Sequence, residues 1–249
     1  MRRFFVDEPL KEGALVRVTG SEARHILRVL RMQAGDEALL VDGAGASAPA
    51  RLVEIAQQAC VFAAGPVQQG SGEPRRPITL FMGLPKGDKM DFVVQKAVEL
   101  GACAVVPVRM ARCVARLDAG RDEEKKRARW QRIAREAAKQ AGRAVVPEVG
   151  ACIDLSALCA QLAAFPRAIV AWEEATQGGL KAALMDAPED APLALVVGPE
   201  GGMSFEEVAR MAQTGARTVT LGRRILRCET APLALLAIVQ YLLGEMGER

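Results

Sequence analysis

The chain is expected to be an α/β protein, a parallel sheet wound with helices, preceded by a small β-rich barrel carrying one helix. Three observations point there. Before residue 65 the apolar residues fall in short alternating runs broken by turn residues such as Asp42-Gly43. Between Gly65 and Pro74 the sequence Gly-Pro-Val-Gln-Gln-Gly-Ser-Gly-Glu-Pro has almost no apolar content and reads as a linker. After it, aliphatic runs of strand length alternate with segments of helical period, the pattern of a parallel sheet with crossover helices. The expected domains are residues 1–72 and 73–249.

In the first domain, Ala14–Val18, Glu37–Val41, Ala50–Ile55 and Cys60–Ala64 are the predicted strands, with a helix over Ser21–Leu30. In the second, Ile78–Met82, Ala104–Val108, Ala168–Trp172, Leu193–Val197 and Thr218–Leu221 are the predicted strands. Met90, Val93, Val94, Ala97 and Val98 share one helix face, and Gly101 is placed to end that helix in the left-handed conformation. Trp130, Ile133, Ala134, Ala137, Ala138 and Ala141 repeat that spacing, so the opposite side of a helix over Asp122–Ala141 is basic and wet. Ala231–Leu243 is apolar nearly all round apart from Gln240, which predicts burial in the core or in a subunit interface.

Composition narrows the chemistry. With 249 residues, half of them hydrophobic and a quarter charged, the chain is an ordinary globular protein with a sizeable core. The opening residues lack the apolar stretch of a secretory signal, and no apolar run approaches the ~20 residues of a membrane span, so a cytoplasmic protein without membrane contact is expected. Six cysteines stand without a C-x-x-C pair and there is one histidine, His25, so neither a zinc cage nor any other metal site is expected. A histidine-dependent hydrolase is equally disfavoured. Charge is uneven: Arg109–Arg143 holds twelve Lys or Arg against five acids, whereas Ala144–Glu200 holds two against eight. One face suited to a polyanion follows, with nucleic acid the leading candidate. Ten aromatic residues are too few for base stacking to dominate RNA contact.

Two loops carry the chemical signal. Leu193–Val197 runs into Gly198-Pro199-Glu200-Gly201-Gly202, and Ser204 with Glu207 then forms a capping box opening a helix. The second, Leu221-Gly222-Arg223-Arg224-Ile225-Leu226-Arg227-Cys228-Glu229-Thr230-Ala231, also leaves a strand and enters a helix. Both lie where parallel sheets take their ligands, at the carboxyl ends of strands. Neither matches the dinucleotide or P-loop fingerprint.

Together these two segments resemble the signature of the ribosomal small subunit methyltransferase E family of the SPOUT superfamily. Further matches are Arg24-His25 with Val29-Leu30-Arg31, Lys86-Gly87-Asp88-Lys89-Met90, Gln95-Lys96 with Glu99-Leu100-Gly101, and Glu136, Gln140 and Arg143 ahead of Pro147. The resemblance implies methylation of uridine N3 in 16S ribosomal RNA of the small subunit with S-adenosylmethionine (SAM). It also implies a PUA-like first domain, a deep trefoil knot in the second and a homodimer. Composition predicts no knot, which the ordinary topology rules disfavour. Cys228 stands where the family usually has threonine, and Ala141 where serine is common. A non-catalytic RNA-binding or assembly protein on the same fold, and a methyltransferase for another RNA, are the alternatives.

On that reading Gly198, Glu200, Gly201, Gly202, Leu221, Gly222, Ile225, Leu226, Thr230 and Ala231 are expected to hold the cofactor, with Trp172 as a wall. Arg227 or Arg143 is expected to stabilise the charge left when N3 loses its proton, with Glu229 or Glu200 as a proton acceptor or as a partner that fixes an arginine, and the base is left unassigned. Arg24, His25, Arg28, Arg31, Lys86, Lys89 and Lys96 are expected on RNA. Glu136, Gln140 and Arg143, spaced i, i+4, i+7, are expected to join them from one helix face.

Overall fold

The computed structural model describes residues 1–70, 72–115, 120–176, 179–185 and 190–247. They form two units: Met1–Glu73 with Ala138–Val146, and Pro74–Ala137 with Pro147–Arg249. The contiguous split expected at residue 72 therefore omits a strap, 138–146, that belongs with the first unit.

The first unit is a six-stranded sheet. β1 (Arg2–Phe5), β2 (Leu15–Val18), β3 (Glu37–Val41), β4 (Ala46–Ala56) and β5 (Ala59–Ala64) lie in the order β1-β3-β4-β5-β2, and β6 (Gln68–Gln69) pairs with β4. β1 and β3 are parallel and the other pairs antiparallel. Phe4, Leu40, Leu52 and Phe62 fill its core from alternate strand positions. A short helix, α1 (Gly20–Arg24), runs into a π-helical turn over His25–Val29. Ala23 and Ile26 face the core while Arg24, Arg28 and Arg31 are exposed. The stretch read as a linker is ordered on both sides of Ser71, which itself lies outside the described residues. Its two glutamines form β6, a pairing that polar residues give no hydropathy signal to predict.

The strap is held by charge. Glu73 accepts from Arg143 Nη2 at 2.6 Å and from the backbone N–H groups of Ala144 and Val145 at 3.0 and 2.9 Å. Lys139 pairs with Glu22 at 2.7 Å.

The second unit is a parallel sheet of β7 (Ile78–Gly83), β8 (Ala104–Arg109), β9 (Glu148–Val149), β10 (Ile153–Asp154), β11 (Arg167–Ala171), β12 (Leu193–Val197) and β13 (Arg217–Val219). The order is β10-β8-β7-β12-β11-β13, with β9 also on β8. The helices are α2 (Lys89–Glu99), α3 (Arg121–Ala141), α4 (Leu155–Leu162), α5 (Leu180–Met185), α6 (Phe205–Gln213) and α7 (Ala231–Leu242). α2 buries the five residues its spacing singled out, and Gly101 beyond it has φ +86°. α7 buries Leu235, Leu236, Val239 and Gln240, but Ile238 and Tyr241 are exposed, so it is not covered all round. No helix among the described residues is long and apolar enough to cross a membrane.

Candidate cofactor cavity and its charged wall

Four neighbouring strands, β7-β12-β11-β13, bring their carboxyl ends to one cavity of about 400 Å³, a size typical of small-ligand sites. β12 delivers Gly198, Pro199, Glu200 and Gly202; β11 delivers Trp172 and Glu173; the segment after β13 delivers Thr220 through Cys228. β11 lies between the two strands that carry the glycine loops, which is how Trp172 comes to stand between them. Lys89, opening α2 after β7, and Ala231, opening α7, complete the lining.

Glycine is needed where backbones crowd. A Cβ on Gly83, the last residue of β7, would lie 2.5 Å from Pro199 N, so only glycine lets the turn after β12 pass. Gly202 sits at φ +67° and a Cβ there would lie 2.6 Å from the Glu173 carboxylate. The expected capping box is complete: Ser204 Oγ accepts from Glu207 N and Glu207 Oε2 accepts from Ser204 N. Buried Glu207 also accepts from Ala111 N at 2.7 Å, fastening a second loop to the start of α6.

Of the residues expected to hold the cofactor, Trp172, Gly198, Glu200, Gly202, Leu221, Gly222, Ile225, Leu226 and Ala231 line the cavity, as does Arg227. Gly201 and Thr230 are not in the lining. Gly201 instead packs under Arg112, whose Nη1 donates to its carbonyl, and Thr230 precedes α7 with its N–H on the Arg227 carbonyl. Trp172 packs edge-on against Phe205, and its buried Nε1 has no hydrogen-bond partner among the described residues.

Two expectations need correcting. Arg143 is buried and committed to Glu73, so neither charge stabilisation at the reacting base nor RNA contact fits its placement. The helix face assigned to Glu136, Gln140 and Arg143 breaks because α3 stops at Ala141, Gly142 turns with φ +78°, and Arg143 points inward while the other two stay exposed. Lys89, expected on RNA, is in the cavity wall with its ammonium 3.1 Å from Glu200 and 3.3 Å from Glu229. Lys96 pairs with Glu99 at 2.8 Å, whereas Lys86 is exposed. Glu173, Arg223 and Arg224, which the expectations left out, also line the cavity. Their signal was position: each adjoins a strand end already singled out.

The wall is electrostatically set. Hydrogen bonding to Glu200, then to Glu229, holds the Lys89 ammonium above its ordinary value against the pull of burial. Burial would raise the Glu200 carboxyl, but the Lys86 N–H, its own N–H and Lys89 outweigh it and hold it low. Glu229 is held low by its own N–H, the Cys228 thiol and Lys89. Burial, with the neighbouring carboxylates, pushes the Cys228 thiol up to about 12, so it stays protonated.

The residues present suit SAM. Glycine turns leave main-chain groups accessible, Trp172, Leu226 and Ile225 offer apolar surface, and Trp172 Nε1 is an unused donor. Glu173 and the guanidinium groups supply both signs of charge for a ligand that carries both.

A family model for an RNA methyltransferase domain matches residues 72–240, and one for an RNA methyltransferase PUA domain matches residues 18–62. Among curated proteins, the ribosomal RNA small subunit methyltransferase E of Bacillus subtilis is 36% identical, the match covering 97% of this chain and 96% of that protein. The Mycobacterium bovis protein of the same name is 35% identical over 96% of this chain and 91% of its own. The crystal structure of the Neisseria gonorrhoeae ribosomal RNA small subunit methyltransferase E bound to SAM superposes with a TM-score of 0.82 at 34% identity, over 97% of this chain and 98% of that one. A Legionella pneumophila chain solved with bound SAM gives 0.83 at 27% identity, over 96% of each chain. With a PUA domain ahead of a parallel sheet whose strand ends enclose the glycine-loop cavity, the chain belongs to the ribosomal RNA small subunit methyltransferase E family and is a SAM-dependent rRNA methyltransferase.

Proposed function

We propose that this chain methylates N3 of a uridine in 16S rRNA of the small ribosomal subunit, with SAM held in the cavity at the ends of β12, β11 and β13. The observation that carries the proposal is the convergence there of both glycine loops, Trp172 and Arg227. Bound SAM supplies an activated methyl group. The protein's part is to orient, exclude water and stabilise charge. Gly198, Gly202 and Gly222 present backbone groups to the cofactor, while Trp172 and Leu226 cover it.

When N3 gives up its proton, negative charge spreads onto the two flanking carbonyl oxygens of the base. Arg227 faces that charge from the wall, and a guanidinium offers several donors in a fixed plane. Glu200 and Glu229 are too acidic and too well paired to serve as the base. Their task is to fix the loops, and solvent is left to take the proton.

RNA is held by exposed cations. In the first unit these are Arg24, Arg28 and Arg31, beside His25; in the second, Lys86 and an α3 stripe of Arg121, Lys125 and Arg132, spaced four and seven residues apart and exposed throughout. The exposed Ile238 and Tyr241 of α7 support a homodimer through that helix, and membership of the family supports a trefoil-knotted second domain. A ribosomal RNA substrate supports a cytoplasmic location.

The test is nucleoside mass spectrometry on small-subunit rRNA lacking the modification, incubated with this protein and SAM. One new 3-methyluridine is expected; methylation at a different atom or on a different RNA would overturn the assignment. Arg227→Ala should cut single-turnover methylation by roughly 100-fold or more, the scale of removing one charge-stabilising donor, with SAM affinity retained. A near-normal single-turnover rate would remove Arg227 from the mechanism.

A further inference from the structure

Three strand ends feed the wall where Lys89 sits. Glu200 comes from the loop after β12, Glu229 from the loop after β13, and Lys89 from the start of α2 after β7. The same ammonium lies 3.7 Å from the Cys228 thiol, which in turn donates to Glu229 at 3.2 Å. Glu200 Oε1 also accepts from Lys86 N at 2.9 Å, so the segment opening α2 grips that carboxylate twice. One cation thus closes a ring across two loops that are remote in sequence but share a cavity.

We infer that Lys89 is a positioning residue for methyl transfer: its ammonium ties the two cofactor loops together by bridging Glu200 and Glu229. This rests on the reading of the cavity as the cofactor site. Without the ammonium two carboxylates within its reach face one another in a partly enclosed wall, where like charges repel more strongly than in bulk water. The loops respond by parting, and Arg227, two residues before Glu229, moves with its loop. A phosphate-contacting lysine would need a free ammonium facing solvent, whereas this one spends its hydrogen bonds on two carboxylates.

The alternative roles separate kinetically. With SAM and RNA varied independently in initial-rate assays, Lys89→Met should raise KM for SAM roughly tenfold, the scale of one lost charge-assisted hydrogen bond, with KM for RNA and its salt dependence little changed. Lys89→Arg, which keeps the charge and can fork across two carboxylates, should recover most of the loss. In a double-mutant cycle, the effect of Lys89→Met should shrink by more than half in a Glu200→Gln background, because the charge it neutralised is gone. An increase confined to KM for RNA would make Lys89 a phosphate contact. Strictly additive losses, or no loss in SAM KM, would sink the bridge. Ala231→Trp, which pushes an indole into the cavity from the start of α7, tests the underlying reading: if that variant binds SAM normally by calorimetry, the cofactor lies elsewhere, whatever the Lys89 variants do.

Discussion

The two units each contain a cluster of opposite charges, built at different depths. In the first, Arg143 and Glu73 expose 4% and 16% of their side chains, and two backbone N–H groups complete the carboxylate's bonds. In the second, Lys89, Glu200 and Glu229 expose 35%, 28% and 20%. The contrast separates two uses of an ion pair. A guanidinium removed from water is stable only with its partner in place, so the Arg143 pair works as a fixed structural joint. A bridge that keeps some solvent can adjust as a ligand arrives, which suits the wall of a ligand cavity.

The contrast can be broken at its strong end first. Glu73→Ala removes the carboxylate that a buried guanidinium shares with two backbone N–H groups, and should lower folding stability by about 3–5 kcal/mol in urea titrations followed by circular dichroism. A loss below ~1 kcal/mol would place this pair with ordinary surface bridges. Next comes pH. The Glu200 and Glu229 carboxyls are depressed, so their share of the bridge is complete above the ordinary carboxylate value and fades only as pH falls through the depressed one. Lys89 is raised, so its share is complete below the ordinary lysine value and is lost only as pH climbs through the elevated one. SAM affinity should therefore be flat between about pH 6 and 9, and a calorimetric step inside that window would show that some other group governs the wall. At the weak end is Arg51–Glu37 on β4 and β3, 64% and 62% exposed. Arg51→Ala should change stability by less than ~1 kcal/mol, and a larger loss would blur the distinction drawn from burial.

Strand and helix positions in the second unit were legible because each element announces its own period: β12 matches the aliphatic run Leu193–Val197, and α2 buries the stripe that its spacing marks. The glycine loops were legible because turns that admit a ligand need residues without side chains. Less visible was anything decided by distant partners. Arg143 looked available in sequence because its neighbours Glu136 and Gln140 share its spacing, yet Glu73, 70 residues away, turns it inward. Lys89 looked like a phosphate contact because a cation at a helix start carries no mark of the two carboxylates that the sheet brings to it. Gly83 carries no mark in the sequence either, since its need for a bare α-carbon comes from Pro199 across the neighbouring strand.

The strap 138–146 has a consequence in time. Synthesis makes the chain from its first residue onward, and Glu73 emerges well before the arginine that neutralises it and the two N–H groups that complete its bonds. Until Val146 has left the ribosome, the amino-terminal unit lacks its last segment, so it cannot be finished and set aside as nascent domains often are. By then the first helices and strands of the following unit have also been made. Maturation of the two parts is coupled by the order of translation, and a fragment ending at residue 73 keeps an acid whose partner, Arg143, never arrives.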